Sequence, residues 1–202
     1  SYIEFGKNFV NKLNGMFSIC IFDERKSKKI LIFRDRFGIK PLYYFKNENE
    51  FIFSSDLNSL KSSLKNVKKS KNNFLNYQFL NYFPKDQTVY DDIKKLLPAH
   101  CIIIENNNLS IEKYWNLEKS KIFFENEDYQ EEIYNLLKES IYINLRSDVK
   151  TATLLSSGID SSIVSYEVSK NKKEQTTFCA YFPEKKKDES KNAEKFSKFI
   201  NS

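Results

Sequence analysis

Apolar residues in this chain come in runs of only a few positions, and each run is closed by a polar or charged turn. MFSICIF (16–22) ends in DERKSKK and resumes as ILIF (30–33); LYYF (42–45) passes through KNENE into FIFSS (51–55). Runs of that length, rich in Ile, Phe and Tyr and bounded by turn formers, predict β-strands. CIIIE, NNN and LSIEKYW (101–115) predict a further hairpin. None approaches the roughly 20 consecutive apolar residues of a membrane-spanning helix. Between the strands, 56–65 and 72–83 read as helices. In the second, Phe74, Leu75, Gln78 and Tyr82 fall near one face, and Ser70 is positioned as its cap. Residues 1–115 are therefore expected to form a strand-rich α+β unit.

After Trp115 the pattern changes. Residues 116–128 are polar and charged with no clear period, which predicts a linker. Ile133, Leu136, Leu137, Ile141 and Leu145 then follow helical spacing. Thr151–Leu155 reads as a strand, 156–162 as a polar loop and 163–168 as the start of a helix. Thr176–Phe182 reads as another strand, and 189–200 as a helix with Ala193, Phe196 and Ile200 on one face. Strand–loop–helix–strand–helix is a parallel α/β unit. Its two strands are too few for an independent sheet, so residues 129–202 read as the beginning of a larger domain.

Composition narrows the function classes. The net charge is +6, yet only Arg25, Arg34, Arg36 and Arg146 of the 33 basic residues are arginines. Base and phosphate recognition favours arginine forks, so scattered lysines argue for a solvated surface and against nucleic-acid binding. Ser1–Val10 contains Glu4 and Lys7 and no apolar secretory core, and the chain opens on Ser rather than Met. Cys20, Cys101 and Cys179 are far apart and form no Cys-x-x-Cys pair, which predicts buried thiols in a reducing cytoplasm. His100 is the sole histidine and is assigned a structural role.

Only four glycines occur, Gly6, Gly15, Gly38 and Gly158. A chain so sparing with glycine is expected to keep one where φ is positive or the backbone is closely approached. Gly158 lies in TATLLSSGIDSSIVS (151–165), which leads from a strand through a Ser-rich loop into a helix. Such a loop suits a phosphate, which needs free backbone N–H groups, small residues and a helix N-terminus. Gly158 would allow approach, the Ser hydroxyls would donate, and Asp160 could orient the loop or hold Mg²⁺. It is not a Walker-A loop, because G-x-x-x-x-G-K-[S/T] is absent. Helix capping by Ser and Asp explains the same residues equally well.

The segment resembles the S-G-G-x-D-S loop of the PP-loop ATP pyrophosphatases, with Ser157 in place of the first Gly. LNGMFSICIFDERKSKKILIFRDRFGIKPLYYF (13–45) is similar to the glutaminase domain of glutamine-dependent asparagine synthetases of the B type. FSSDLNSLK (53–61), LLPAHCIII (96–104) and KYW (113–115) continue the match in family order.

The resemblance implies the later part of an α-β-β-α Ntn-type glutaminase sandwich over 1–115, a linker at 116–128, and the start of an α/β PP-loop domain over 129–202. It further implies that a terminal Cys releases ammonia from glutamine. A second domain then uses ATP and Mg²⁺ to convert aspartate to β-aspartyl-AMP, which ammonia converts to asparagine. The small-molecule partners implied are aspartate, glutamine and ATP, in the cytoplasm, with no nucleic acid or membrane and with a homodimer possible for the full-length protein. The terminal Cys and the family's R-G-P-D and N-G-E-I-Y-N motifs do not occur in this sequence. The chain is therefore expected to be an interior fragment, without a catalytic residue of its own and without glutaminase or synthetase activity.

Carried over residue by residue, Ser156, Gly158, Asp160, Ser161 and Ser162 match the loop that holds ATP phosphates, with Asp160 a candidate Mg²⁺ ligand. Leu154 and Ala180 match positions lining the nucleotide pocket. Asp188 and Glu189, followed by Ala193, resemble the acidic start of the family's next helix, and helix-end charge complementarity accounts for them equally. Arg34, Asp35, Gly38 and Pro41 resemble the glutaminase strand–turn, where Asp35 and Gly38 are expected to shape the turn. Two other readings fit the same residues: a related amidotransferase acting on another carboxylate such as a sugar acid, and a non-catalytic nucleotide-binding module.

Overall fold

The computed structural model describes residues 1–117, 129–171, 175–182 and 188–202. The chain divides into two compact units, Ser1–Ser120 and Lys121–Ser202. Most of the expected linker, 118–128, lies outside the described residues.

The first unit starts with a short helix α1 (Tyr2–Phe5) and a 3₁₀ turn over Gly6–Lys12. Strands β1 (Ser18–Asp23), β2 (Lys29–Arg34), β6 (His100–Glu105) and β7 (Asn108–Lys113) form an antiparallel sheet in the order β1-β2-β6-β7. Strands β3 (Tyr43–Lys46), β4 (Phe51–Ser54) and β5 (Ile93–Lys95) form a second sheet, ordered β4-β3-β5. Register puts Ile32 opposite both Cys20 and Ile102, so alternate residues face opposite sides of the larger sheet. On one side Leu31, Phe33 and Cys101 pack on Phe9 and Val10 of the 3₁₀ turn. On the other, Ile32 and Ile102 pack with Leu42, Leu96, Tyr44 and Phe51 from the smaller sheet and its flanks. The period-2 pattern thus builds two apolar layers around one sheet.

Helices α2 (Leu57–Ser62) and α3 (Lys71–Leu80) complete this unit. Ser70 caps α3 through Asn73 N at 3.3 Å, as the sequence suggests, while Asp56, expected as the first residue of its helix, is instead the cap of α2 through Ser59 N at 2.7 Å. The expected apolar face of α3 is not its buried face. Phe74, Leu75 and Tyr82 are all half exposed, and the helix is fixed instead by Asn73, whose Nδ2 donates to Thr88 O at 2.9 Å. Strand β5 was not predicted, because IKK carries one apolar residue and no alternation that a sequence pattern could detect. Cys101 is buried, whereas Cys20 and Cys179 are exposed, contrary to the expectation of three buried thiols. Cys20 lies on edge strand β1, beyond the residues that the smaller sheet covers.

In the second unit, α4 (Tyr129–Asn144) precedes β8 (Ala152–Leu154), α5 (Ile159–Ser169), β9 (Thr176–Phe178) and α6 (Ser190–Phe199). Strands β8 and β9 pair in parallel, Ala152 with Thr176 and Leu154 with Phe178. Ala193 on α6 and Ile200 at its C-cap are buried, on the face read from the sequence. On α4 only Ile141 of the predicted apolar stripe is buried; Ile133 and Leu136 are exposed.

Candidate functional site

Strand β8 ends at Leu154, and the next ladder contact, Leu155 N to Phe178 O at 2.8 Å, is the last before the backbone leaves the sheet. Gly158 is the N-cap of α5 in extended geometry, with φ −77° and ψ 152°. The loop proper is therefore 155–158. Asp160, Ser161 and Ser162 sit in the first helical turn, a correction to the loop expected over 156–162. The amides of Ile159, Asp160 and Ser161 open the helix without an i−4 acceptor within it, whereas Ser162 N already donates to Gly158 O at 3.2 Å. Gly158 does not need a positive φ. An added Cβ would lie 3.2 Å from Ser156 Oγ, close enough that the hydroxyl would have to shift by a few tenths of an ångström.

Ser161 is the hub of the turn. Its Oγ accepts from Ser156 N at 3.0 Å and lies 2.8 Å from Ser156 Oγ and 3.1 Å from Gly158 O. Ser156 Oγ in turn accepts from Gly158 N at 3.2 Å. Ser162 Oγ donates to Gly158 O at 2.8 Å. The hydroxyls expected to point at a ligand are thus engaged in shaping the turn. Asp160 is exposed. Ser157 N donates to Glu189 Oε2 at 3.3 Å, a contact across 32 positions that no local pattern reveals.

Leu154 is 80% exposed at the strand end, and Ala180 is exposed two residues beyond β9 rather than inside a strand. The helix behind the loop is firmly seated. Thr153 Oγ1 and Ser165 Oγ, both buried, are 2.9 Å apart, and Gln175 Nε2 donates to Thr153 Oγ1 at 2.8 Å. Glu167 Oε1 accepts from Lys170 Nζ at 2.6 Å and Tyr134 OH at 2.8 Å. Burial raises the Glu167 pKa, but these two bonds outweigh it and hold the carboxyl below its usual value. At the other end, Asp188 accepts from Ser190 Oγ at 2.6 Å and from Ser190 N at 3.2 Å, which keeps its pKa below the ordinary carboxylate value.

The described residues contain no group of three or more His, Cys, Asp or Glu that could hold a metal. Mg²⁺ is characteristically bound through one or two carboxylates plus substrate phosphates and waters. Asp160, exposed in the first turn of α5, is a single carboxylate compatible with that mode of binding. No helix among the described residues is long and apolar enough to cross a membrane. A groove of about 540 Å³ in the first unit, beside Tyr2 and β7, has its charges already paired, Lys7 with Glu112 at 2.7 Å and Lys29 with Glu105 at 2.9 Å.

The first unit has a contrasting turn. Asp35, only 1% exposed, accepts from the amides of Phe37, Ile39 and Lys40 at 3.1, 3.0 and 2.9 Å. Arg34 donates to the carbonyls of Lys40, Leu96 and Gly38. Gly38 has φ +66°, and an added Cβ would lie 2.8 Å from Pro98 Cγ. Asp35 and Gly38 shape the turn, as their sequence context implied.

Residues 1–115, which carry this turn, match the glutamine amidotransferase domain family. The chain belongs to that family. Behind the amidotransferase domain, residues 132–202 match the asparagine synthase family. A Methanocaldococcus jannaschii protein with the provisional name asparagine synthetase (glutamine-hydrolyzing) 2 is 36% identical over 173 residues, covering 81% of this chain and 32% of that protein. Asparagine synthetase (glutamine-hydrolyzing) 3 of Bacillus subtilis is 30% identical over 169 residues, covering 81% and 27%. Amidase chry2 of Gibberella zeae is 29% identical over 173 residues, covering 83% and 25%. The chain thus spans a third or less of the length of these relatives.

Proposed function

We propose that the chain is part of an ATP-dependent carbon–nitrogen ligase that uses glutamine as its amide donor, an asparagine synthase. The observation that carries this reading is the succession of an amidotransferase match over 1–115 and an asparagine synthase match over 132–202, with the strand–loop–helix of 152–169 inside the second. On this reading 1–115 is the later part of an α-β-β-α glutaminase sandwich, 116–128 a linker, and 129–202 the start of a PP-loop domain. Ser156, Gly158, Asp160, Ser161 and Ser162 seat the pyrophosphate portion of ATP, while Leu154 and Ala180 border the nucleotide. Mg²⁺ bound with the nucleotide would be met by Asp160 and would supply charge neutralisation at the phosphates.

The chemistry of such an enzyme explains why a phosphate seat is required. A carboxylate is a poor electrophile until one oxygen becomes a good leaving group, which adenylation by ATP provides, and the released pyrophosphate carries negative charge that the seat must stabilise. Backbone N–H groups at the start of α5 and the fixed geometry around Ser161 suit that task. The loop needs no proton-transfer residue, because its work is binding and orientation.

Equilibrium titration of the full-length protein with Mg·ATP tests the reading. Saturable binding competed by pyrophosphate supports it; absence of binding by either compound contradicts it.

A relative that is named as an amidase rather than an asparagine synthetase keeps a second reading in view, a related amidotransferase acting on another carboxylate such as a sugar acid. Acid-dependent ATP–pyrophosphate exchange by the full-length protein, with aspartate set against other acids, separates the two.

A further inference from the structure

Glu189 occupies the N-cap position of α6, where an acidic side chain ordinarily folds back onto the first amides of its own helix. No such side-chain cap bond forms. Its Oε2 instead accepts from Ser157 N at 3.3 Å, 32 residues earlier in the sequence. The adjacent acid has the local role. Asp188 Oδ1 accepts from Phe182 N at 3.4 Å and Ser190 N at 3.2 Å, and its Oδ2 accepts from Ser190 Oγ. Asp188 therefore organises the entry to α6, which leaves Glu189 free to reach the loop.

The contact made by Glu189 has the chemistry of a bound phosphate: an anionic oxygen on a backbone N–H of the loop, one residue before the N-cap Gly158 of α5. We propose that Glu189 is an internal stand-in for phosphate, and that it makes the loop selective for metal-complexed pyrophosphate over free phosphate anions. An incoming phosphate oxygen must take Ser157 N from the carboxylate, and the displaced carboxylate then stands beside the new anion. Like-charge repulsion opposes a bare polyphosphate most and one neutralised by a divalent cation least. This inference rests on the reading of 156–162 as the pyrophosphate seat and adds the residue that sets its selectivity.

The test is calorimetric titration of the full-length protein and its Glu189→Gln variant with pyrophosphate, in the presence and absence of Mg²⁺. Glutamine keeps the length and an acceptor oxygen but removes the charge. The variant is expected to bind metal-free pyrophosphate about two- to fivefold more tightly, the scale of an exposed charge–charge interaction, with a smaller gain for the magnesium complex. A merely structural role predicts unchanged or weaker binding, and either result overturns the proposal while leaving the seat intact. If neither protein binds pyrophosphate in either form, the seat itself is wrong and the inference falls with it. Should the variant not fold, the wild type decides by NMR. Pyrophosphate should shift the Glu189 side-chain carboxyl resonance together with the Ser157 amide, and a shift of the amide without the carboxyl overturns the proposal.

Discussion

Two turns at the ends of strands, Arg34–Pro41 after β2 and Leu155–Asp160 after β8, share Asp and Gly but differ in what their polar groups face. The first is closed. Its Asp is buried, three amides converge on it, Arg34 satisfies three carbonyls, and Gly38 has no room for a methyl group. The second is open. Its Asp160 is exposed, its hydroxyls bond one another, and the side chain on Ser157 N comes from a distant helix. A turn whose amides are consumed by its own buried carboxylate can support architecture and has little left for a ligand. A turn with helix-start amides at its surface can exchange partners.

If that contrast is right, the closed turn is the more sensitive to substitution. Asp35→Ala leaves three amides without their acceptor and is expected to cost about 3 kcal/mol of stability in the first unit, measured as a lowered urea midpoint with pyrophosphate binding unchanged. Gly38→Ala forces a side chain into a left-handed turn and against Pro98, with an expected loss of about 2 kcal/mol in the same measurement. A loss below a few tenths would show that the turn can open.

The open turn should respond in affinity more than in stability. Ser161→Ala removes the hub that holds Ser156 N, and Mg·ATP affinity is expected to fall about tenfold, the worth of one hydrogen bond. Little change in the melting temperature should accompany it, and an unchanged affinity would remove Ser161 from the seat.

A smaller effect tests the closed turn through pH. Tyr114 OH donates to Arg34 O at 2.6 Å, and burial, helped by the nearby Asp35 charge, pushes its pKa up to about 12. The neutral phenol is the form favoured by folding. Its contribution is complete below the ordinary tyrosine pKa of 10.0 and is lost as pH rises towards about 12. Wild type should lose stability over that window relative to Tyr114→Phe, and parallel alkaline profiles would contradict the assignment.

Much of this fold is written in local pattern. Short Ile- and Phe-rich runs report strands because alternation maps directly onto the two faces of a sheet, as at Leu31, Ile32 and Phe33. Caps at Asp56 and Ser70 are equally local. What local patterns could not reveal depended on partners far along the chain. The seating of α3 through Asn73 and Thr88, the exposure of Cys20 on an edge strand, and the three residues of β5 are all set by tertiary neighbours. At the candidate site the Ser–Gly–Asp spacing was visible, but the inward turn of the Ser161 hydroxyl was not. Neither was the reach of Glu189, which had read equally well as helix-end charge complementarity.

The most direct test of the central claim compares both turns in one experiment, amide NMR spectra of the full-length protein titrated with magnesium pyrophosphate. The account predicts progressive shifts for the amides of residues 156–162 while those of Asp35–Lys40 stay fixed. Shifts centred on Asp35–Lys40, or no shifts at 156–162 under saturating ligand, would contradict it.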